Sequence, residues 1–510
     1  MCGIAGIWGQ TDQNSVKNMM EALVHRGPDA NGIFVASERD CVLGHQRLSI
    51  MDPSGGDQPI YGETRDRAIV GNGEIYNFPT LRGELSKRHP FRTSSDTEAV
   101  LHLYGEEGTE AVKHLDGMFA FAIADGDELF AARDPIGIKP LYYGERDGAF
   151  LFASELKALS KCCDNISEFP AGSFYHSKTG FSSFYEVPDI QPELDAEFEP
   201  LVKEVRETVE ASVVKRLMSD VPLGAFLSGG LDSSIISAVA KQHQGELHTF
   251  SVGVEGSKDI KAARVVANHI GSIHHEYIIS PEEVIAKLPE IIYYLESFDQ
   301  DLVRSAIPCY FTSRLAVEHV KVILTGEGAD ELFAGYTYYK GIPDDEVLHR
   351  ELRRSVASLH NINLQRVDRM AMAHSLEGRV PFLDLKAIEL GQRIPAHFKL
   401  RGEPLVEKWI LRKAFEDMLP EEIVWRGKEQ FDEGSGMVDL LDKMLAETMS
   451  ETEAQAYRQK YPQVYLRSPE ECYYHRIFME VFENSESILS NVARWAERPE
   501  GIDSSVQQVA

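Results

Sequence analysis

The sequence predicts two domains, an α+β domain first and an α/β domain behind it. The second is built on a parallel, doubly wound sheet and has a helical C-terminal part. Three observations predict this. The opening residues, MCGIAGIWG, read as a strand from the terminus itself, and strand-like runs recur at 118–123, 129–132 and 141–143, separated by turns such as Asp125-Gly126-Asp127. Residues 221–240, VPLGAFLSGGLDSSIISAVA, read as a buried strand, a glycine turn and a helix. From His248 to Glu331, strands alternate with helices, which argues for a parallel sheet with its ligand at the C-terminal ends of the strands.

The chain's 510 residues are enough for several domains with substantial cores. A hydrophobic share of 43% and a charged share of 26% are those of a globular protein. The net charge of −29 argues against nucleic acid and anionic membranes as partners, because phosphate backbones and headgroups need clustered Lys and Arg. Six cysteines without CxxC pairing fit a reducing compartment rather than a disulfide framework or zinc site. No apolar run reaches 18 residues and no basic-then-apolar leader opens the chain, so the expected location is cytoplasmic.

At the N-terminus, Cys2 follows Met1 directly. If Met1 is removed, Cys2 carries a thiol and a free α-amine whose reference pKa values lie within about one unit of each other. One residue then supplies both nucleophile and base. A small cysteine buried in a strand is the plain alternative. His25-Arg26-Gly27-Pro28-Asp29 reads as a turn, residues 44–52 alternate like a strand carrying Arg47, Asn72-Gly73-Glu74 follows an apolar run, and 94–98 open a helix running to Tyr104. Residues 187–200, rich in Pro and acid, are taken as a linker between domains 1–186 and 201–496. The tail 497–510 is expected to be disordered.

In the second domain an amphipathic helix is expected over 201–218. It leads to Leu227-Ser228-Gly229-Gly230-Leu231-Asp232-Ser233-Ser234. A glycine turn at a helix N-terminus offers unpaired N–H groups and partial positive charge, and three hydroxyls add donors, which suits phosphate. The Walker pattern is absent. Asp232 inside such a loop would repel phosphate without a cation between them, so a magnesium-bound nucleotide is inferred. The turn Thr325-Gly326-Glu327-Gly328-Ala329-Asp330-Glu331 stands at the end of a second strand, and Asp330 pairs with Asp232 as the expected Mg2+ ligands.

Residues 228–234 match the SGGxDS loop of the ATP pyrophosphatases, which cleave ATP to AMP and pyrophosphate. MCGIAGI, HRGPD, RLSIMD, NGEIYN and SDTE resemble the class II glutamine amidotransferase domain, an N-terminal-nucleophile αββα sandwich. The two together, with Glu377 to Asp384 (E-x-RVPFLD) and Trp425 to Phe431, resemble the glutamine-hydrolysing asparagine synthetases from Cys2 to about Phe482.

The resemblance implies that Cys2 attacks the glutamine amide, with Asn72 and the Gly73 N–H as oxyanion hole. Arg47 and the backbone of Leu48, Ser49, Ile50 and Met51 would hold the glutamine carboxylate, and Glu74 and Asp96 its ammonium. Leu227, Val252, Thr325 and Gly326 would contact ATP beside the 228–234 loop, Glu327 would support an adenylated intermediate, and Lys428 would neutralise pyrophosphate. Ammonia would cross an internal tunnel to β-aspartyl-AMP, and a homodimer is implied. In the segment 296–305, Gln300, Asp301 and Leu302 depart from the family's threonine-rich run, which leaves the acceptor acid open. The competing readings are a related amidotransferase acting on another carboxylic acid and a non-catalytic glutamine or nucleotide sensor.

Overall fold

The computed structural model describes residues 1–494 except 37–39, 64, 65, 164, 429, 430, 439, 442–447, 483 and 484. The expected tail therefore lies outside the described residues. Strands occupy much of the first 183 residues: β1 (Cys2–Trp8), β2 (Ala30–Ala36), β3 (Cys41–Arg47), β4 (Ile60–Tyr61), β5 (Arg67–Ile75), β6 (Gly117–Asp125), β7 (Glu128–Arg133), β8 (Tyr142–Arg146), β9 (Ala149–Ala153), β10 (Ile166–Glu168), β11 (Ser173–His176) and β12 (Gly180–Ser183). They form two six-stranded antiparallel sheets, ordered β10-β8-β9-β1-β3-β2 and β12-β11-β7-β6-β5-β4.

Strand alternation decides how these sheets stack. Ile4, Leu43 and Phe152 of the first sheet meet Val70, Ala120 and Ala122 of the second in one dry layer. The opposite face of β1, Ala5 and Ile7, packs against Val16, Met19 and Met20 of the helix Gln13–Glu21. The helix Asp96–Glu107 covers the outer face of the second sheet, over Ile69, Phe121 and Phe130. Each fully buried Leu, Ile or Phe contributes about 1.5–3 kcal/mol. Cys2 thus begins a central strand, paired with β3 along its whole length and with β9 from Ala5 to Trp8.

The strand expected over 44–52 ends at Arg47, where the ladder with β1 stops. Leu48 N–H donates to the Met1 carbonyl at 3.1 Å, and the chain turns around the terminus instead of continuing straight.

The second part carries β13 (Leu223–Phe226), β14 (His248–Gly253), β15 (Ile273–Ile278), β16 (Val322–Leu324) and β17 (Glu377–Arg379), all parallel, in the order β15-β14-β13-β16-β17. The order reverses between β13 and β16, so the loops after these two strands diverge and leave a crevice at their C-terminal ends. The helix expected over 201–218 is Phe198–Lys215, starting inside the segment taken as linker, and Arg216 leaves helical geometry as its guanidinium turns to Asp384 (2.9 Å). β17, within the E-x-RVPFLD run, was not expected as a strand. The rest of the chain is largely helical, as expected.

Candidate functional sites

Two sites emerge, one at the start of β1 and one at the switch point of the parallel sheet. In the first, Cys2 N–H donates to Asn72 Oδ1 at 2.9 Å. This bond leaves Asn72 Nδ2 buried beside Cys2 without an acceptor. A buried amide donor without a partner is costly, so it could serve an incoming oxygen. Asn72 is followed by Gly73 at φ +152°, where a Cβ would lie 2.0 Å from the Met118 carbonyl oxygen; only glycine fits. The Cys2 thiol lies 4.0 Å from the Leu48 carbonyl. Burial pushes the thiol up, against the opposing pull of the Met1 ammonium.

Around this centre the expected carboxylates are buried. Burial and the neighbouring Glu377 and Asp96 push Glu74 well above the usual carboxylate range, against Arg379, and its Oε2 has no hydrogen-bond partner. Burial lifts Asp96 to about 6, although it accepts from Ile75 N–H at 2.7 Å and Thr97 N–H at 2.9 Å. Glu74 has Arg379 at 3.6 Å, a cation it shares with Glu377, and Asp96 is held by hydrogen bonds, so both would gain from a further positive charge. Arg47 is almost fully buried and held by the loop that follows β3, donating to Asp57 Oδ1 at 2.5 Å and the Asp52 carbonyl at 2.6 Å. Leu48 and Ile50 are buried, and Ser49 N–H donates to Asp29 at 2.8 Å.

The second site is a cleft lined by Leu227, Ser228, Gly230, Leu231, Asp232, Ser233, Val252, Thr325, Gly326, Glu327, Asp330 and Lys428, among others. The loop after β13 runs into the helix Leu231–His243, and the loop after β16 closes on it from the other side. A Cβ at Gly326 would lie 2.9 Å from Asp232 Cβ, so glycine permits this approach. Gly229 and Ser234 do not line the cleft. Ser234 is buried and donates to the Gly230 carbonyl at 2.7 Å, because it lies one helical turn on and its hydroxyl folds back on the backbone. Ser228 and Ser233 hydroxyls sit 3.0 Å apart and shape the turn.

Charges in this cleft are paired with one another. Lys408 Nζ contacts both Asp232 and Asp330, the latter at 2.6 Å, and Lys428 Nζ donates to Asp330 Oδ2 at 2.7 Å. Burial works against the Lys428 charge, but Asp330 and Asp232 outweigh it and hold its ammonium above the ordinary value. Likewise the two lysines hold Asp330 well below the carboxylate range despite its burial. Asp232 Oδ1 is buried without a hydrogen-bond partner, leaving a hard oxygen donor aimed at the cleft. Glu327 pairs with Arg366.

Sequence reasoning missed Lys408 and Arg366. Neither sits in a recognisable run, and Lys408 depends on a left-handed backbone (φ +55°) that no residue pattern announces. Of the divergent segment, Asp301 and Ser305 line the cleft, and Asp301 is ion-paired with Arg467 at 2.8 Å.

Between the two sites runs a buried charged seam. Arg26 contacts Glu155 at 2.6 Å and Asp368 at 2.7 Å; Arg369 contacts Glu155 at 3.0 Å and Glu296 at 2.8 Å. β17 belongs to both sites. Glu377 takes the Met1 ammonium at 2.9 Å, Arg379 holds Glu377 at 2.6 Å, and the Arg379 carbonyl accepts Thr325 N–H at 2.9 Å in the cleft loop.

Known proteins share this layout. Residues 1–185 match the glutamine amidotransferase domain family, and residues 204–344 and 340–503 match the asparagine synthase family. Asparagine synthetase [glutamine-hydrolyzing] 3 of Arabidopsis thaliana is 41% identical over 517 residues, covering 94% of this chain and 87% of that protein. Asparagine synthetase B [glutamine-hydrolyzing] of Escherichia coli (strain K12) is 39% identical over 508 residues, 94% of this chain and 91% of that protein. With the amidotransferase domain ahead of it and relatives matched almost end to end, the chain belongs to the asparagine synthase family.

Proposed function

We propose that the chain makes L-asparagine from L-aspartate with ATP and glutamine, through β-aspartyl-AMP, releasing AMP and pyrophosphate. The observation that carries the reading is β17, which touches both sites: its Arg379 guanidinium lies 3.6 Å from Glu74 near Cys2, and its Arg379 carbonyl meets the loop of the cleft. A nucleophile that frees ammonia and a cleft that activates an acid gain from being joined this way, because ammonia in open water becomes ammonium and stops reacting. An internal path for ammonia along this strand is part of the proposal. The domain limits are taken as 1–186 and 201–496.

Removal of Met1 turns the Cys2 nitrogen, held by Asn72 Oδ1, into a free amine. That amine takes the thiol proton as sulfur attacks the glutamine amide carbon. Asn72 Nδ2 and the Gly73 N–H receive the oxyanion. The amine returns the proton to the leaving nitrogen, ammonia departs, and water hydrolyses the thioester to glutamate. Arg47, with the Leu48–Met51 backbone, binds the glutamine carboxylate. Glu74 and Asp96 bind its ammonium, which relieves the cost of their burial.

In the cleft, the aspartate side-chain carboxylate attacks the α-phosphorus of ATP and pyrophosphate leaves. Residues 228–234 at the helix N-terminus cradle the departing phosphates, and Lys428 and Lys408 neutralise them. Leu227, Val252, Thr325 and Gly326 frame the nucleoside. Asp232 and Asp330 fit Mg2+ by their hard oxygens and the unpaired Asp232 Oδ1, and the ion when bound supplies charge neutralisation of the triphosphate. Glu327, on the cleft wall, supports the adenylate as ammonia displaces AMP.

Six free cysteines fit a cytoplasmic setting, and among the described residues no helix is long and apolar enough to cross a membrane. Pairing of two chains belongs to the same proposal and is read by light scattering.

The test supplies aspartate, ATP, Mg2+ and glutamine carrying heavy nitrogen in its side-chain amide. Labelled asparagine with equimolar AMP is expected by mass spectrometry. Glutamate release without asparagine or AMP would overturn aspartate as the acceptor.

A further inference from the structure

At the end of the parallel sheet opposite the cleft, three histidines meet. His248 is the first residue of β14, His275 is the third of β15, and His319 lies in the turn just before β16. Each offers a ring nitrogen, and the three nitrogens all lie within 4.8 Å of one another. We propose that His248, His275 and His319 form a binding site for one zinc-like divalent cation.

The geometry is close to what such an ion requires. With Zn–N bonds of about 2.0–2.1 Å, nitrogens of a tetrahedral site stand roughly 3.3 Å apart. His248 Nδ1 and His275 Nε2 are already 2.9 Å apart, and the ring of the exposed His319 lies with its centroid 3.9 Å from that of His275. Glu246 places a carboxylate 3.4 Å from His248 Nε2. A carboxylate on the far nitrogen is the usual partner of a metal-bound imidazole, because it fixes the tautomer that leaves the near nitrogen free.

The buried ring of Phe250 forms an apolar floor, its centroid 5.1 Å from that of His275 and 5.9 Å from that of His319. His319 is exposed, so water can reach the cluster as a further ligand. Three imidazoles select the zinc, nickel and copper class over Mg2+, which prefers oxygen.

A cation here would tie the beginnings of β14 and β15 to the turn that follows the helix Gln300–Ala316. Residues Asp301, Ser305 and Thr312 of that helix line the cleft. Binding to the folded state alone would raise the unfolding midpoint.

The test uses the full chain without a histidine tag, stripped with a chelator and kept in excess Mg2+ to fill oxygen sites. Co2+ is titrated as a visible probe, then displaced with Zn2+. One Co2+ per chain with visible absorption, bleached by Zn2+ and accompanied by a higher unfolding midpoint, is expected. His319→Ala removes an exposed side chain and leaves the metal-free midpoint unchanged, yet it should weaken binding at least about tenfold. The double variant H248A/H319A should abolish it. No absorbing Co2+ complex, or binding of equal strength in both variants, would overturn the proposal.

Discussion

The proposed glutaminase centre around Cys2 and the proposed nucleotide cleft handle charge in opposite ways. Around Cys2, polar groups are buried and left wanting: Asn72 Nδ2 and Glu74 Oε2 have no partners, and Asp96 is lifted to about 6. In the cleft, the charged groups are paired with one another, though Asp232 Oδ1 keeps a free lone pair: Lys408 sits between Asp232 and Asp330, Lys428 on Asp330, and Arg366 on Glu327. The first arrangement suits a small zwitterion that completes the hydrogen bonds and ion pairs. The second suits a polyanion, for which internal ion pairs are exchanged as phosphates and cation arrive. Removing a group from the first leaves a hole; removing one from the second leaves an unpaired charge.

The largest expected effect follows from that contrast. Asp330→Asn strips Lys428 of its carboxylate and leaves Lys408 with Asp232 alone, and ammonia-dependent synthesis should fall about a thousandfold, within the range for unpairing a buried charge. Glutamine hydrolysis measured without ATP should stay near the wild-type rate; a parallel loss would erase the distinction. Asn72→Ala should cut the glutaminase kcat by about 100- to 1000-fold while ammonia-dependent synthesis persists. Retained glutaminase activity would show that its orphaned amide is not the oxyanion donor.

Asp368→Ala strips Arg26 of a partner in the seam between the sites, and urea unfolding should show a loss of about 3–5 kcal/mol. A loss under 1 kcal/mol would mean the seam is hydrated and weak.

The smallest effect is in pH. Because the folded Asp96 carboxyl titrates near 6, above its ordinary 3.8, its contribution to folding is full below about pH 3.8 and lost as pH rises through 6. Glutamine, however, needs the ionised form. KM for glutamine should therefore rise up to about tenfold per unit below pH 6. An equally steep rise in Asp96→Asn would assign the titration to another group.

Much of the geometry of both candidate sites was legible because each depends on a short run whose local structure brings its residues together. The glycine turn at 228–234 needs only its own strand and helix, and Cys2, Asn72 and Gly73 are fixed by two adjoining sheets. What escaped reading depends on distance or on backbone. Arg26 finds Asp368 across 342 residues, and Lys408 finds Asp232 across 176. β17 is three residues long, too short for any periodicity to mark, and its pairing with β16 decides it. Ser234 carries a hydroxyl in the right run but one helical turn too far along, so it bonds the backbone.

The most direct measurement is Cys2→Ala assayed with glutamine and with ammonia as alternative nitrogen donors. The account predicts that glutamine-dependent asparagine formation and glutamate release fall to background, while ammonia-dependent formation of asparagine and AMP continues near the wild-type rate. Asparagine still formed from glutamine, or loss of both activities together, would contradict it.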